Sequence, residues 1–336
     1  MVKVLVPGRR TGEVEIPSSK SIAHRELIAA ALSGSEPPVV RGESNDTLAT
    51  RNCLRAMMSG EGVWPCGESG TTLRLLEPIA GVMGWKGEFR CEGRLGSRPR
   101  MPFERKNRYV VPGDVSSQFV SGLLMALPLA DWDSEIVVEG LLQSEAYVRL
   151  TEDTLIASGI CFEKDGQAWR ISGGQSYRFS GGHEVEGDWS QAAFFLAMGV
   201  EVKGLRSDSH QGDRAAVGLI EAISRGEART IDISQTPDLY PVLAAFAAAL
   251  DRDVRFTGTE RLRLKESDRL ASTAALIDSA RAGKPVNAFG DHRIAMSAAV
   301  MACYLNRPIT VEGAECVAKS YPGFWNDFEK LEIPAS

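Results

Sequence analysis

Residues 18–32, SSKSIAHRELIAAAL, open with small hydroxyl residues, place Lys20 and Arg25 in the first turns, and continue as an Ala/Leu-rich run. Serine ahead of such a run is a helix start signal, because its side-chain oxygen accepts from the free N–H groups of the first turn. The run is apolar on nearly every side, which predicts a helix covered all round. The same reading applies to SGTTLRLLEPIAGVM from Ser69, SSQFVSGLLMALPLA from Ser116 and DWSQAAFFLAMGV from Asp188. It applies again to PDLYPVLAAFAAAL from Pro237 and DHRIAMSAAVMACYL from Asp291. These openings recur mostly at about 50 residues, a spacing at which internal repeats are expected.

A second, more polar helix is predicted in most units: from Asp46, from Tyr147, from Gly212 and across 259–277. Alternating runs at 134–140, 253–258 and 308–313 read as strands. Each unit then holds about two helices and several strands. Six such units, with a longer interval after the third, predict an α/β (α+β) chain of two domains with three repeats apiece. A cleft between two domains is a common ligand site. The stretches 98–111, 224–230 and 279–290 are too short for a full repeat, so missing or shortened elements are expected there.

The chain's 336 residues suffice for about two domains with substantial cores. A hydrophobic share of 43% and a charged share of 24% are ordinary for a globular protein in water. No apolar run approaches the roughly 18 residues of a membrane span. MVKVLVPGRR at the start reads as a strand entering a turn and lacks the apolar segment of a leader. A cytoplasmic protein is expected, with no membrane partner. The net charge of −6 argues against a nucleic-acid binder with a basic surface. Any anion site must be a local cluster of cations. Six scattered cysteines without a CxxC pair, and four scattered histidines, point to free thiols and away from zinc.

Residues 259–277, TERLRLKESDRLASTAALI, read as one helix with Leu270, Ala274 and Ile277 on an apolar stripe. Lys265 and Arg269, four apart, then share a face, while Glu266 points elsewhere. Cations near a helix start oppose the macrodipole unless an anion lies between them and the N–H groups. A solvated charged face is the plainer reading. The other openings repeat the feature: Lys20, Ser21 and Arg25 at the first, Gly70, Thr71 and Arg74 at the second, Ser116, Ser117 and Gln118 at the third. Asp238 stands at the fifth, His292 and Arg293 at the sixth, while Arg98, Ser144, Tyr147 and Lys319 lie outside them. Each residue alone is explained by capping or turns; repeated Lys and Arg at these positions imply a ligand rich in phosphate and carboxylate. No GxGxxG, GxxxxGK[ST] or GxSxG motif is present. Acid/base work falls to Asp238, Glu266, His292 and the lysines.

The motifs PSSKSIAHR, SGTTLR, SRPRM, GDVSSQF, EGDWS, PDLYP, RLRLKESDR, GDHRIAM and AKSYPGF, in this order, resemble the 5-enolpyruvylshikimate-3-phosphate synthase family of enolpyruvyl transferases. The resemblance covers essentially the whole chain. It implies an inside-out α/β barrel fold: two domains of three βαβαββ repeats, 18–187 and 1–17 plus 188–336, some elements being missing here, with the active site in the cleft between them. It implies transfer of the enolpyruvyl group of phosphoenolpyruvate to the 5-hydroxyl of shikimate 3-phosphate, through a tetrahedral intermediate, by a monomer that needs no metal or cofactor. Domain closure would assemble the site.

By the same resemblance, Lys20, Ser21, Arg25, Ser116, Ser117, Gln118, Ser144, Tyr147, Asp238 and Lys265 contact shikimate 3-phosphate. Lys20, Gly70, Arg98, Gln118, Arg269, Arg293 and Lys319 hold phosphoenolpyruvate. Lys20, Asp238, Glu266 and His292 are the catalytic candidates.

Three positions depart from the family pattern: Glu68 replaces an asparagine, Glu145-Ala146 follow Ser144 where a basic residue and proline are usual, and Arg261 stands for an asparagine. Two other readings remain open: a shortened homologue that only binds phosphorylated metabolites, and the sister transferase acting on UDP-N-acetylglucosamine. The latter carries Lys-Asn where this chain has Lys20-Ser21.

Overall fold

The computed structural model describes residues 1–334. In chain order the elements are β1 (Val2–Leu5), β2 (Glu13–Glu15), α1 (Lys20–Ser33), α2 (Asn45–Met58), β3 (Val63–Gly67), α3 (Gly70–Met83), β4 (Glu88–Cys91), β5 (Arg108–Pro112), α4 (Ser117–Ala126), β6 (Ser134–Glu139), α5 (Glu145–Ala157), β7 (Glu163–Asp165) and β8 (Ala168–Ile171). Then follow α6 (Trp189–Met198), β9 (Glu201–Lys203), α7 (Ala216–Arg225), β10 (Thr230–Asp232), α8 (Tyr240–Ala249), β11 (Arg255–Thr257), α9 (Arg269–Ala282), β12 (Val286–Asn287), α10 (His292–Ala302), β13 (Ile309–Glu312) and α11 (Phe324–Lys330). The chain divides into two compact units. One comprises Met1–Ser18, Gly42–Ser44 and the chain from Glu186 onward; the other comprises Ser19–Arg41 and Asn45–Val185.

The helix openings fall where the capping residues put them. Ser69, Ser116, Asp188 and Asp291 each accept a hydrogen bond from a first-turn main-chain N–H, of α3, α4, α6 and α10 respectively. The helices they start are as deeply buried as their sequences predict. Every residue of α10 is buried, as is all of α6 except Leu196.

Within Ser19–Arg41 and Asn45–Val185, one repeat is complete. The order β5–α4–β6–α5–β7–β8 builds a four-stranded sheet in which β5 and β6 run parallel and β8 pairs antiparallel with both β6 and β7. Helix α4 carries the chain back between the parallel strands, the connection that such a pairing requires. Gly166, at φ +57°, allows the tight turn from β7 to β8. The core of this repeat holds Val111, Phe119, Ile136, Leu155 and the fully buried Trp169. A neighbouring core of Leu27, Leu54, Trp64, Leu73 and Ile79 joins α1, α2, β3 and α3.

The remaining repeats have fewer strands than expected, although a second helix follows α1, α6, α8 and α10 and is missing only after α3. Strands β3 and β4 are a parallel pair bridged by α3, after which a 3-10 turn, Gly93–Ser97, leads on to β5 with no second helix. In the other unit, β10 and β11 are a parallel pair bridged by α8. Strands β12 and β13 are a parallel pair bridged by α10, with β1 antiparallel on the far side of β13. Strand β9 lies parallel to β2. Helix α7 ends at Arg225 and β10 begins at Thr230; α9 ends at Ala282 and β12 begins at Val286. No hairpin intervenes in either link, in agreement with the short stretches seen in the sequence.

The stretch 259–277 is not one helix. Residues Glu260–Leu264 form a 3-10 turn, Lys265 and Glu266 precede the α-helix, and Asp268 caps α9 by accepting from Leu270 N and Ala271 N. Asp268, the fourth residue of KESDR, stops the helix from extending backward, because its carboxylate takes the N–H groups that a preceding turn would use. The buried face of α9 is Arg269, Ser272, Thr273, Leu276 and Ala280, and not the predicted Leu270, Ala274 and Ile277 stripe.

Helices α3 and α4 approach unusually closely. A Cβ on Gly122 would lie 2.2 Å from the main-chain oxygen of Arg74, a contact that neither backbone can relieve alone. Gly122→Ala is therefore expected to lower unfolding stability by about 1–3 kcal/mol, through overpacking, read as a lower urea midpoint at unchanged slope.

Candidate active site

The predicted site residues fall into two groups, one in each unit. In the unit built around α1–α5, Lys20 Nζ lies 2.8 Å from Asp46 Oδ2, with both side chains largely buried. Asp46 sits in the first turn of α2. Arg25, only 1% exposed, donates to Thr151 Oγ1 at 2.7 Å, Ser21 O at 2.5 Å, Tyr147 O at 2.8 Å and Ser121 Oγ at 3.3 Å. None of these acceptors is a carboxylate. Burial pushes the Arg25 guanidinium down to about 10, with the Tyr147 phenol opposing. Keeping that charge inside costs folding on the order of 3 kcal/mol at any pH below that value. Arg25 is thus a cation built into the interior without an anion beside it.

A second cluster forms at the start of α3. A Cβ on Gly70 would meet a terminal guanidinium nitrogen of Arg74 at 3.0 Å and of Arg98 at 3.1 Å, so glycine leaves both cations room beside the helix N-terminus. Arg74 donates to Gln118 Oε1 at 2.7 Å, and Gln118 Nε2 donates to Thr71 Oγ1 at 2.8 Å, which fixes the amide orientation. Ser116 caps α4 by accepting from Gln118 N at 3.3 Å, and Ser117 is its buried first residue. Ser144 precedes α5 in a left-handed conformation, φ 57°, rare for a side chain with a Cβ. Tyr147, half-buried, follows in the first turn of α5. Glu68 turns its carboxylate onto the backbone at Gly93, whose Cβ position lies 2.3 Å from Glu68 Oε1.

In the other unit the candidates share one network. Arg269, with a side chain 2% exposed, holds three carboxylates: Asp238 Oδ1 at 2.7 Å, Glu266 Oε2 at 2.7 Å and Asp291 Oδ2 at 2.9 Å. Burial works against its charge, but the three acids raise the guanidinium above its ordinary value. Asp238 also accepts from Arg293 at 3.0 Å and from Lys265 Nζ at 3.4 Å. Burial disfavours the Asp238 carboxylate, yet Arg293, Lys265 and Arg269 together hold it well below the usual range. Lys265 is depressed, chiefly by burial. Arg293 donates further to Asp238 O and Ser190 Oγ. His292 is buried, with Nδ1 3.9 Å from Asp291 Oδ1. Lys319, at the end of the 3-10 turn Ala314–Lys319, is 8% exposed.

This network corrects the electrostatic argument made from sequence. Lys265 is not on the helix, and the anions beside Arg269 are supplied by the chain itself. Asp46, Thr151, Ser121, Ser190 and Asp291 escaped the sequence reading. An acid in the first turn of α2, four residues after the last turn-forming glycine, was the only hint for Asp46. Asp291 was visible as a cap but not as a partner for Arg269.

Among the described residues no group of His, Cys, Asp and Glu is arranged to hold a metal ion, and no helix is long and apolar enough to cross a membrane.

A sequence profile of the family EPSP synthase (3-phosphoshikimate 1-carboxyvinyltransferase) matches residues 5–61 and 101–328. The 3-phosphoshikimate 1-carboxyvinyltransferase of Clostridium kluyveri is 35% identical over 410 residues, covering 97% of this chain and 96% of the relative. That of Clostridium perfringens is 32% identical over 417 residues, covering 98% of each. Both alignments are longer than this 336-residue chain, so the relatives carry internal segments that it lacks. The solved EPSP synthase of Acinetobacter baumannii superposes with a TM-score of 0.72 at 20% identity, over 99% of this chain and 100% of that one, which establishes the fold. The stretch outside the profile match holds β3, α3, β4 and Glu68, the repeat that lost its second helix.

His24 lies behind Lys20 with Nδ1 2.6 Å from Thr50 Oγ1, and Thr50 Oγ1 is 2.7 Å from Thr72 Oγ1. Burial pushes the imidazole down to about 3; Asp46 opposes this, while Lys20 and Arg25 add to it. The unfolded chain therefore binds a proton at this histidine below about pH 6.5 that the folded chain refuses. Stability is fully present above that pH and falls by about 1.4 kcal/mol per unit as the pH drops toward 3. His24→Gln should remove this slope between pH 6.5 and 5, measured by urea denaturation.

Proposed function

The chain belongs to the EPSP synthase (3-phosphoshikimate 1-carboxyvinyltransferase) family, and we propose that it transfers the enolpyruvyl group of phosphoenolpyruvate to the 5-hydroxyl of shikimate 3-phosphate, releasing phosphate. The observation that carries this reading is Arg25, a buried cation whose hydrogen bonds among the described residues go to neutral oxygens. A phosphate or carboxylate placed there gains charge-assisted hydrogen bonds and removes the cost of an uncompensated interior charge.

In the proposed reaction the 5-hydroxyl oxygen bonds to C2 of phosphoenolpyruvate while C3 takes a proton. The tetrahedral intermediate then expels phosphate as C3 gives a proton back. Lys20, Ser21, Arg25, Ser116, Ser117, Gln118, Ser144 and Tyr147 would bind shikimate 3-phosphate. Gly70, Arg98, Gln118, Arg269, Arg293 and Lys319, with Lys20, would hold phosphoenolpyruvate. Asp238, assisted by Lys265, would accept the hydroxyl proton; Glu266 and Lys20 are the candidates for protonating C3, with His292 a further acid/base group. Charge accumulates on phosphate and carboxylate oxygens, so preorganised guanidinium and ammonium groups supply much of the stabilisation. The proposed enzyme acts as a cytoplasmic monomer on small molecules.

The deciding measurement is phosphate release from phosphoenolpyruvate, with and without shikimate 3-phosphate. Release that requires shikimate 3-phosphate is expected; ligand binding without release would instead make the chain a binding protein. Lys20→Ala and Glu266→Ala should each reduce turnover to background while circular dichroism shows a folded chain.

Thermal unfolding provides a separate check on Arg25. Shikimate 3-phosphate at about 100 times its dissociation constant should stabilise the wild-type chain by about 2.7 kcal/mol. Arg25→Gln should abolish most of that gain, and an undiminished gain would remove Arg25 from the phosphate site.

A further inference from the structure

Two of the cations assigned above to phosphoenolpyruvate, Arg269 and Arg293, already have carboxylate partners. Arg269 has three carboxylates around it, and Arg293 donates to one of them, Asp238. Counted as a cluster, Lys265, Arg269 and Arg293 face Asp238, Glu266 and Asp291, so positive and negative charges balance. A neutral cluster attracts a multiply charged anion weakly. Either one of the acids is exchanged for the substrate or the assignment of the clamp is incomplete.

The three acids are not equally exchangeable. Asp291 is 0% exposed, caps α10 through Arg293 N and accepts from Ser267 Oγ. Withdrawing it would uncap a fully buried helix. Glu266 contacts Arg269 three residues along the chain. Asp238 differs from both. Its side chain is 21% exposed, more than either of the others, and it lies in a 3-10 turn, Pro237–Leu239, instead of capping a helix. It touches Lys265, Arg269 and Arg293 together. If it left, Arg269 would keep Glu266 and Asp291, and Arg293 would keep Ser190 Oγ and the Asp238 main-chain oxygen. Arg269 would still be paired with two carboxylates, and Arg293, left with neutral oxygens, would take its counter-charge from the incoming anion, so the exchange leaves no lasting unpaired interior charge.

We propose that the Asp238 carboxylate is a built-in competitor for the phosphoenolpyruvate site, held by Arg269 and Arg293 and displaced from them by the substrate's own anions. The inference rests on the functional reading above and adds a consequence to it. A carboxylate clamped by three cations is a poor base; one that has surrendered two of them to the substrate regains basicity when the hydroxyl proton has to be taken. Binding and activation of the base are then one event.

The test separates this role from that of a plain base or a plain binding contact. Phosphoenolpyruvate alone is titrated into the wild-type chain and into Asp238→Asn by calorimetry, and turnover of both is measured with shikimate 3-phosphate present. The asparagine retains the shape but not the competing charge. Binding of phosphoenolpyruvate should tighten by about tenfold, within the usual range of coupling between two ligands of one site, while turnover is lost. Unchanged or weaker binding in Asp238→Asn overturns the proposal. Wild-type turnover reports independently on the proposed function, so each reading can fail without the other.

A measurement on the wild-type chain does not depend on the variant folding. The Asp238 carboxyl carbon is followed by NMR as the pH is lowered, with and without phosphoenolpyruvate. Its titration midpoint should move up when phosphoenolpyruvate is added, and a midpoint that stays or falls overturns the proposal.

Discussion

The constraint on which the rest depends is the price of keeping guanidinium groups in the interior. Arg25, Arg269 and Arg293 are each almost fully buried, and a buried cation is tolerated only with hydrogen bonds and preferably an anion. The chain meets this requirement in two ways. Around Arg269 and Arg293 it provides its own carboxylates, which makes that cluster electrically closed. Around Arg25 it provides only hydroxyl and carbonyl oxygens, which leaves a standing cost that an anionic ligand can relieve. The two clusters therefore differ in kind. One is primed to attract charge, and the other has to exchange it.

Both arrangements follow from how the helices begin. Buried helices such as α6 and α10 cannot leave their first N–H groups to water, so a Ser or Asp must cap each one. The cap brings a polar side chain into the core edge. Asp291 then does two things at once: it satisfies Arg293 N and anchors Arg269 from the neighbouring helix. Local capping chemistry thus becomes the positioning of a cation over a longer distance in sequence.

The six apolar helices were legible in the sequence, and so were the side-chain caps of α3, α4, α6 and α10, because period and capping are local properties; α1 and α8 begin without a side-chain cap. The three short stretches were legible for a similar reason, since a link of a few residues has no room for a hairpin. The partners of the cations were not. Asp46 with Lys20, and Thr151 and Ser121 with Arg25, are separated by 26 to 126 residues, and only packing brings them together. The start of α9 was misread for a different reason. The sequence around Lys265 is compatible with a helix, but the Asp268 carboxylate takes the first free N–H groups, and Arg269 turns inward to its acids. A buried salt-bridge network overrode the apolar stripe in choosing which face of the helix went inside.

The reduced repeats bear on function through what they keep. Around α3, α8 and α10 a parallel strand pair bridged by the buried helix is retained, while the second helix or the closing hairpin is what goes. Most candidate residues sit at helix openings and in the turns that precede them, among them Lys20, Gly70, Gln118, Tyr147, Asp238, Glu266 and Arg293, while Arg98 and Lys319 lie at the ends of 3-10 turns. None sits on a closing hairpin, and in the one complete repeat β7 and β8 carry no candidate either. A βα turn is fixed by the buried helix behind it, whose apolar core remains whole in the described residues. Removing peripheral strands exposes surface and lowers stability, but it leaves the origin and direction of each opening unchanged. The chemistry proposed for this chain belongs mostly to the openings of its buried helices, and those openings are what the chain has preserved.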